Sequence, residues 1–177
     1  MKSNLFRTGL ILSLIVLLFS SNASAQEEIF KEKTGRFVDL YNKKDFDGLT
    51  GLFHFPKENT EAERKADKEA IRKTLAMYFD EFGKITGFEK RENPPFYYFV
   101  TIAGADIAYW QKHPEGDKIT YQVKFARQGD GYLELVFSYI LREWEIRQVN
   151  FGLPADGPRS EKKISAIFQK WQKLMAQ

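Results

Sequence analysis

The sequence predicts an α+β domain: helices packed on one face of an antiparallel sheet, with a further helix at the C-terminus. Three observations carry this. Up to Gly83, apolar residues recur at the spacing of about 3.6 that marks amphipathic helices. Beyond it the period falls to two and the residues become β-branched or aromatic. Helices and strands also occupy separate stretches of chain instead of alternating, which favours an antiparallel sheet with helices segregated to one side.

Glu27 to Tyr41 carries Ile29, Phe30, Phe37, Leu40 and Tyr41 at helical spacing, with Glu27 and Glu28 where the helix dipole favours negative charge. Asp45 caps a short second helix with Phe46, Leu49, Leu52 and Phe53, which ends near the loop of His54, Pro56 and Asn59. Thr60, followed three residues later by Glu63, is a capping box. The helix it opens carries Ile71, Leu75, Tyr78, Phe79 and Phe82 on one stripe until Gly83 stops it.

Ile85 to Glu92 reads as a first strand and Tyr97 to Ile102 as a second. Asp106 to Trp110 either extends the second past a bulge at Gly104 or pairs beside it. Ile119, Tyr121, Val123 and Phe125 alternate with Thr120, Gln122, Lys124 and Ala126. Gln128-Gly129-Asp130-Gly131 then turns the chain into Leu133, Leu135, Phe137 and Tyr139, giving a hairpin with one apolar face. Trp144 and Ile146 start a last strand that runs to Phe151 before Gly152 and Pro154 end it. Pro158 and Ser160 open the C-terminal helix, with Ile164, Ile167, Phe168, Trp171, Leu174 and Met175 on one face.

Ahead of these elements Lys2 and Arg7 give a basic start, Leu10 to Phe19 is almost unbroken apolar, and Ala23-Ser24-Ala25 supplies the small residues signal peptidase needs. Residues 1–25 read as a cleavable export signal, and 26–177 as a single domain with a helical extension from about 158. The apolar run falls short of the roughly 20 residues a membrane helix needs, so no stable anchor is expected after cleavage and the destination is periplasmic or extracellular. The chain has no cysteine, which excludes disulfides, thiol catalysis and cysteine-ligated metals. Stability then rests on the core, and aromatic residues at 15% of the chain can supply it. With 27 basic residues, Lys2 and Arg7 among them, against 24 acidic, the charge gives no reason to expect nucleic acid.

Three N-terminal helices, the sheet after them and a last strand opened by Trp144-Glu145-Ile146 resemble the NTF2-like (cystatin-like α+β) superfamily from Glu27 to Leu153. The joint Asn42-Lys43-Lys44-Asp45 leading into Phe46-Asp47-Gly48-Leu49 is similar to the same joint in secreted members of unknown function. The resemblance implies a strongly bent sheet that wraps one long helix as a cone, with a pocket at its wide end. Members include isomerases, dehydratases, transport adaptors and plain binding or dimerisation domains, so the fold alone selects no function.

Of the two histidines, His113 lies in His113-Pro114-Glu115-Gly116-Asp117, where Pro and Gly between strands mark a solvated turn; no metal is expected there. His54, between Phe53 and Phe55, reads as a packing residue at the end of the second helix. The resemblance implies that an enzyme of this kind would use an Asp base and a Tyr or Asp donor inside the apolar cone, where an apolar wall raises a carboxyl pKa. Asp106 with Tyr98 or Tyr109 is the candidate set here. On the last strand Trp144, Ile146, Gln148 and Asn150 share one face if no bulge intervenes, and would floor a pocket; a one-residue slip turns Arg147, Val149 and Phe151 inward instead. With Tyr78 from the long helix, the candidate ligand-binding residues are Tyr78, Tyr98, Asp106, Tyr109, Trp144, Gln148 and Asn150.

Glycine-rich phosphate loops, the G-x-S-x-G elbow and H-E-x-x-H are absent from the sequence, and no cofactor is expected. The favoured expectation is a non-catalytic module that binds a small apolar ligand in the cone, or a homodimer formed through the outer sheet face, where Val136 and Ile140 lie beside Ala126. The alternatives are an acid–base isomerase, dehydratase or hydrolase using a cone carboxylate, and an envelope adaptor working through the C-terminal helix.

Overall fold

The structure, a computed structural model, describes residues 26–103, 116–140, 143–156 and 158–176. The expected leader, Asp106, Tyr109 and His113 lie outside them. The described residues fall in two compact units that part between Arg36 and Phe37. The first is helical from residue 26, and within it the Thr34 hydroxyl donates to the Phe30 carbonyl at 2.7 Å.

The chain is α+β. Helix α1 covers 26–43, α2 Phe46–Thr50 and α3 Glu61–Phe82; strands β1 Ile85–Lys90, β2 Tyr97–Ala103, β3 Asp117–Phe125, β4 Gly129–Ile140 and β5 Glu143–Pro154 follow, then α4 Pro158–Met175. The strands form one open antiparallel sheet in the order β1-β3-β4-β5-β2.

Local chemistry sets the helix ends. Asp45 Oδ1 accepts from the Gly48 amide at 2.9 Å and starts α2. At α3 both arms of the capping box form: the Glu63 amide donates to Thr60 Oγ1 at 3.2 Å, and the Thr60 amide donates to Glu63 Oε2 at 2.7 Å. Gly83, at φ 75°, ends that helix with its amide on the Phe79 carbonyl. Asn42, in the last turn of α1, clasps the start of β1, accepting from the Ile85 amide at 2.8 Å and donating to its carbonyl at 2.7 Å.

Three details of the sheet differ from the sequence reading, the first being that β5 runs on through Gly152 to Pro154, the residues expected to end it. The β3–β4 turn is Ala126-Arg127-Gln128, not the four residues from Gln128, because Phe125 already pairs with Gly129. Gly129 sits at φ 78°, the left-handed residue that closes a three-residue hairpin loop, so Asp130 and Gly131 belong to the strand. In β5 a bulge does intervene. Phe137 faces Ile146 while Val136 faces Gln148, which leaves Arg147 as the extra residue.

The bulge decides which side chains of β5 enter the core. Ile146 before it and Val149, Phe151 and Leu153 after it are buried beside Leu133, Leu135 and Phe137 of β4. Phe151 is the hub: its ring centroid lies 5.3 Å from Tyr78, 5.4 Å from Tyr41 and Phe82, and 6.0 Å from Phe125. Each such ring pair contributes about 0.5–1.5 kcal/mol beyond the area it buries, which suits a chain with no disulfide. Helix α4 meets α3, β2 and β5. It buries Ile164 and Ile167, donates from Trp171 Nε1 to Thr74 Oγ1 at 3.2 Å, and pairs Lys170 with Glu81.

Candidate functional site

Strand alternation sends Leu133, Leu135, Val149 and Phe151 to the core and places Thr101, Thr120, Glu134, Gln148 and Asn150 on the opposite face of the sheet. Glu134 is only 8% exposed and Asn150 2%. A carboxylate at that depth is tolerated when its lone pairs are met by donors. Glu134 Oε1 accepts from Asn150 Nδ2 at 2.7 Å. Its Oε2 accepts from the Tyr97 hydroxyl at 3.0 Å and from Thr120 Oγ1 at 3.2 Å, with Lys118 Nζ at 3.5 Å. Asn150 Oδ1 in turn accepts from Thr101 Oγ1 at 2.7 Å and Gln148 Nε2 at 2.9 Å. Three neighbouring strands, β3, β4 and β5, and the edge strand β2 each contribute a member.

Tyr97 roofs this network. Its ring stacks on Tyr132 at 4.8 Å and lies over Gly152, where a Cβ would come within 2.4 Å of the ring. Burial, reinforced by the charge of Glu134 and the hydrogen bond to it, holds the Tyr97 phenol well above its usual pKa, so it stays a donor. Beside it on β2, on the same face by strand alternation, Phe99 is 50% exposed and its ring lies 5.9 Å from that of Tyr97. The face therefore combines a fixed polar centre with an uncovered aromatic margin.

Of the expected site residues, Asp106 and Tyr109 lie outside the described residues, and the others are dispersed over both faces of the sheet. Gln148 and Asn150 meet in the polar network. Tyr78 is buried on the core side, donating to the Thr101 carbonyl at 3.3 Å, and burial raises its phenol pKa. Tyr98 pairs opposite Leu153 and meets Phe96 edge-on at 5.5 Å. Trp144 lies against Tyr139 at 5.1 Å, and the bulge at Arg147 separates its face from that of Gln148 and Asn150.

No family model, curated protein or solved structure matches the chain. Two further features are local. His54 is buried, and its Nδ1 lies 2.6 Å from Glu145 Oε2; its amide donates to the Ile146 carbonyl at 2.8 Å, so the segment leaving α2 is pinned to β5. A cleft of ≈ 550 Å³ lies between the β3–β4 turn and the start of α4, lined among others by Gln128, Asp130, Asp156, Arg159 and Lys163. Among the described residues no group of three or more His, Cys, Asp or Glu side chains is placed to hold a metal ion.

Glu134, Tyr97, Thr101 and Thr120 are not singled out by the sequence, because what brings them together is the register of four strands. Here Thr120 and Glu134 stand directly opposite each other, with short hydroxyl and amide residues at the matching positions of β2 and β5.

Proposed function

We propose that this chain is an exported, NTF2-like module that works by binding rather than catalysis, and that its recognition surface is the sheet face carrying Glu134. Helices ahead of an antiparallel sheet, and the Ala23-Ser24-Ala25 site after an apolar run, support the family and export parts of this reading. The observation that carries the binding part is the pairing of a pre-ordered polar network with the exposed ring of Phe99 beside it. Side chains already fixed by hydrogen bonds lose little entropy when a partner arrives, and exposed rings supply apolar area at low ordering cost. The bent sheet and its cone pocket belong to the same proposal, as does the favoured partner, a second copy pairing sheet to sheet.

Sedimentation velocity over a dilution series tests it. The expected result is a dimer at micromolar concentration that Phe99→Lys converts to monomer with an unchanged circular dichroism spectrum. A wild-type chain that stays monomeric throughout the series rejects the homodimer.

A further inference from the structure

We propose that export is followed by a second maturation step, in which Gln26 closes on its own amine to form pyroglutamate. The inference rests on the export reading, because cleavage after Ala25 is what makes Gln26 an N-terminus. In that chain the α-amine and the side-chain carboxamide of one residue can close a five-membered lactam. The α-nitrogen attacks Cδ and a new N–Cδ bond forms. The bond from Cδ to the amide nitrogen breaks, and that nitrogen takes a proton from the attacking amine and leaves as ammonia. No oxidant, reductant or second substrate enters the balance.

The place of this residue favours the step. Residue 26 is already helical, and the helix runs on to residue 43. An α-ammonium there stands at the positive end of the helix dipole, which disfavours its charge and leaves more of it as the neutral, nucleophilic amine. The carboxylates of Glu27 and Glu28 act in the opposite direction, but both residues are exposed and water screens them. Cleavage leaves no residue four positions before Gln26, so turning its nitrogen into a lactam removes no i→i−4 bond from the mature α1. The product exchanges a cation for a neutral amide at that end, the same change that terminal acetylation makes.

Intact-mass spectrometry of the full-length chain, expressed with its leader and recovered from the exported fraction, tests this together with an amine-specific label applied under denaturing conditions. The expected mass is that of residues 26–177 less one ammonia, with the label absent from the N-terminus. The same chain carrying Gln26→Ala should be cleaved at the same bond and take the label fully. A chain that starts at Gln26 with its full mass and a labelled amine overturns the cyclisation and leaves the export reading standing. A chain that keeps its leader, or starts elsewhere, overturns both.

Discussion

Glu134 is the residue at which the physics of this sheet is most exposed to test. Its two oxygens take up donors from Asn150, Tyr97 and Thr120 at 2.7–3.2 Å. Removing the carboxylate leaves those donors facing each other below the surface, and a buried donor without a partner costs about 1–3 kcal/mol. Glu134→Ala should therefore lower the unfolding free energy by about 2–3 kcal/mol in a urea titration. A loss below about 0.5 kcal/mol, the usual limit for a surface substitution, would mean that water reaches these groups freely. The tyrosines add a pH signature. Burial raises the phenol pKa of Tyr41, Tyr78 and Tyr97 above the ordinary value, with the Asp80 charge adding to the effect at Tyr41 and the Glu134 charge at Tyr97. A raised folded-state pKa contributes stability that is whole below the unfolded value and is lost as pH climbs past it. The unfolding free energy should thus hold steady through neutrality and decline above about pH 10, where unfolded tyrosine ionises. A curve flat to higher pH would contradict the burial of these phenols.

At the scale of elements, the approach of β2 to β5 depends on Gly152. The Tyr97 ring lies where a Cβ at 152 would stand, at 2.4 Å, while the Tyr132 Cβ is at an ordinary 3.4 Å. Gly152→Ala should push Tyr97 off Glu134 and cost about 1–3 kcal/mol, the range for overpacking a filled site. In a Tyr97→Ala background the obstacle is gone, and the same change should be neutral or gain up to about 1 kcal/mol, since alanine loses less backbone freedom than glycine. A double-mutant cycle with coupling near zero would rule this contact out. Element boundaries were largely legible: the capping box at Thr60 and Glu63, the glycine stop at Gly83 and the alternation from Ile119 to Phe125 are local signals, and each stands where the sequence puts it. The inward face of β5 was not legible, because the bulge at Arg147 is settled by how Phe137 and Val136 meet Ile146 and Gln148 across the ladder. A strand's own pattern carries no record of its neighbour's register. The polar network was hidden for the same reason, since its members come from four strands that meet only after the sheet has formed.

For the whole molecule, the question is whether α4 is an appendage or part of the domain. The sequence reading set it outside the superfamily core, as an extension from about residue 158. In the fold it meets α3, β2 and β5, buries Ile164 and Ile167, and binds Thr74 through the Trp171 indole. Two buried isoleucines contribute about 3–6 kcal/mol of transfer free energy. That is a large part of the 5–15 kcal/mol, to order of magnitude, that holds a domain together. A chain ending at Asp156 should consequently melt lower, by roughly 10 °C or more at about 2–4 °C per kcal/mol for a domain of this size. It should also expose to a hydrophobic dye the apolar surface on which Ile164 and Ile167 rest. If the truncated chain melts with the full-length protein, α4 is free to serve a partner; if it melts early, the half-exposed Phe168 at the margin of its buried face, stacked on Trp171, is the apolar part of the helix left for one.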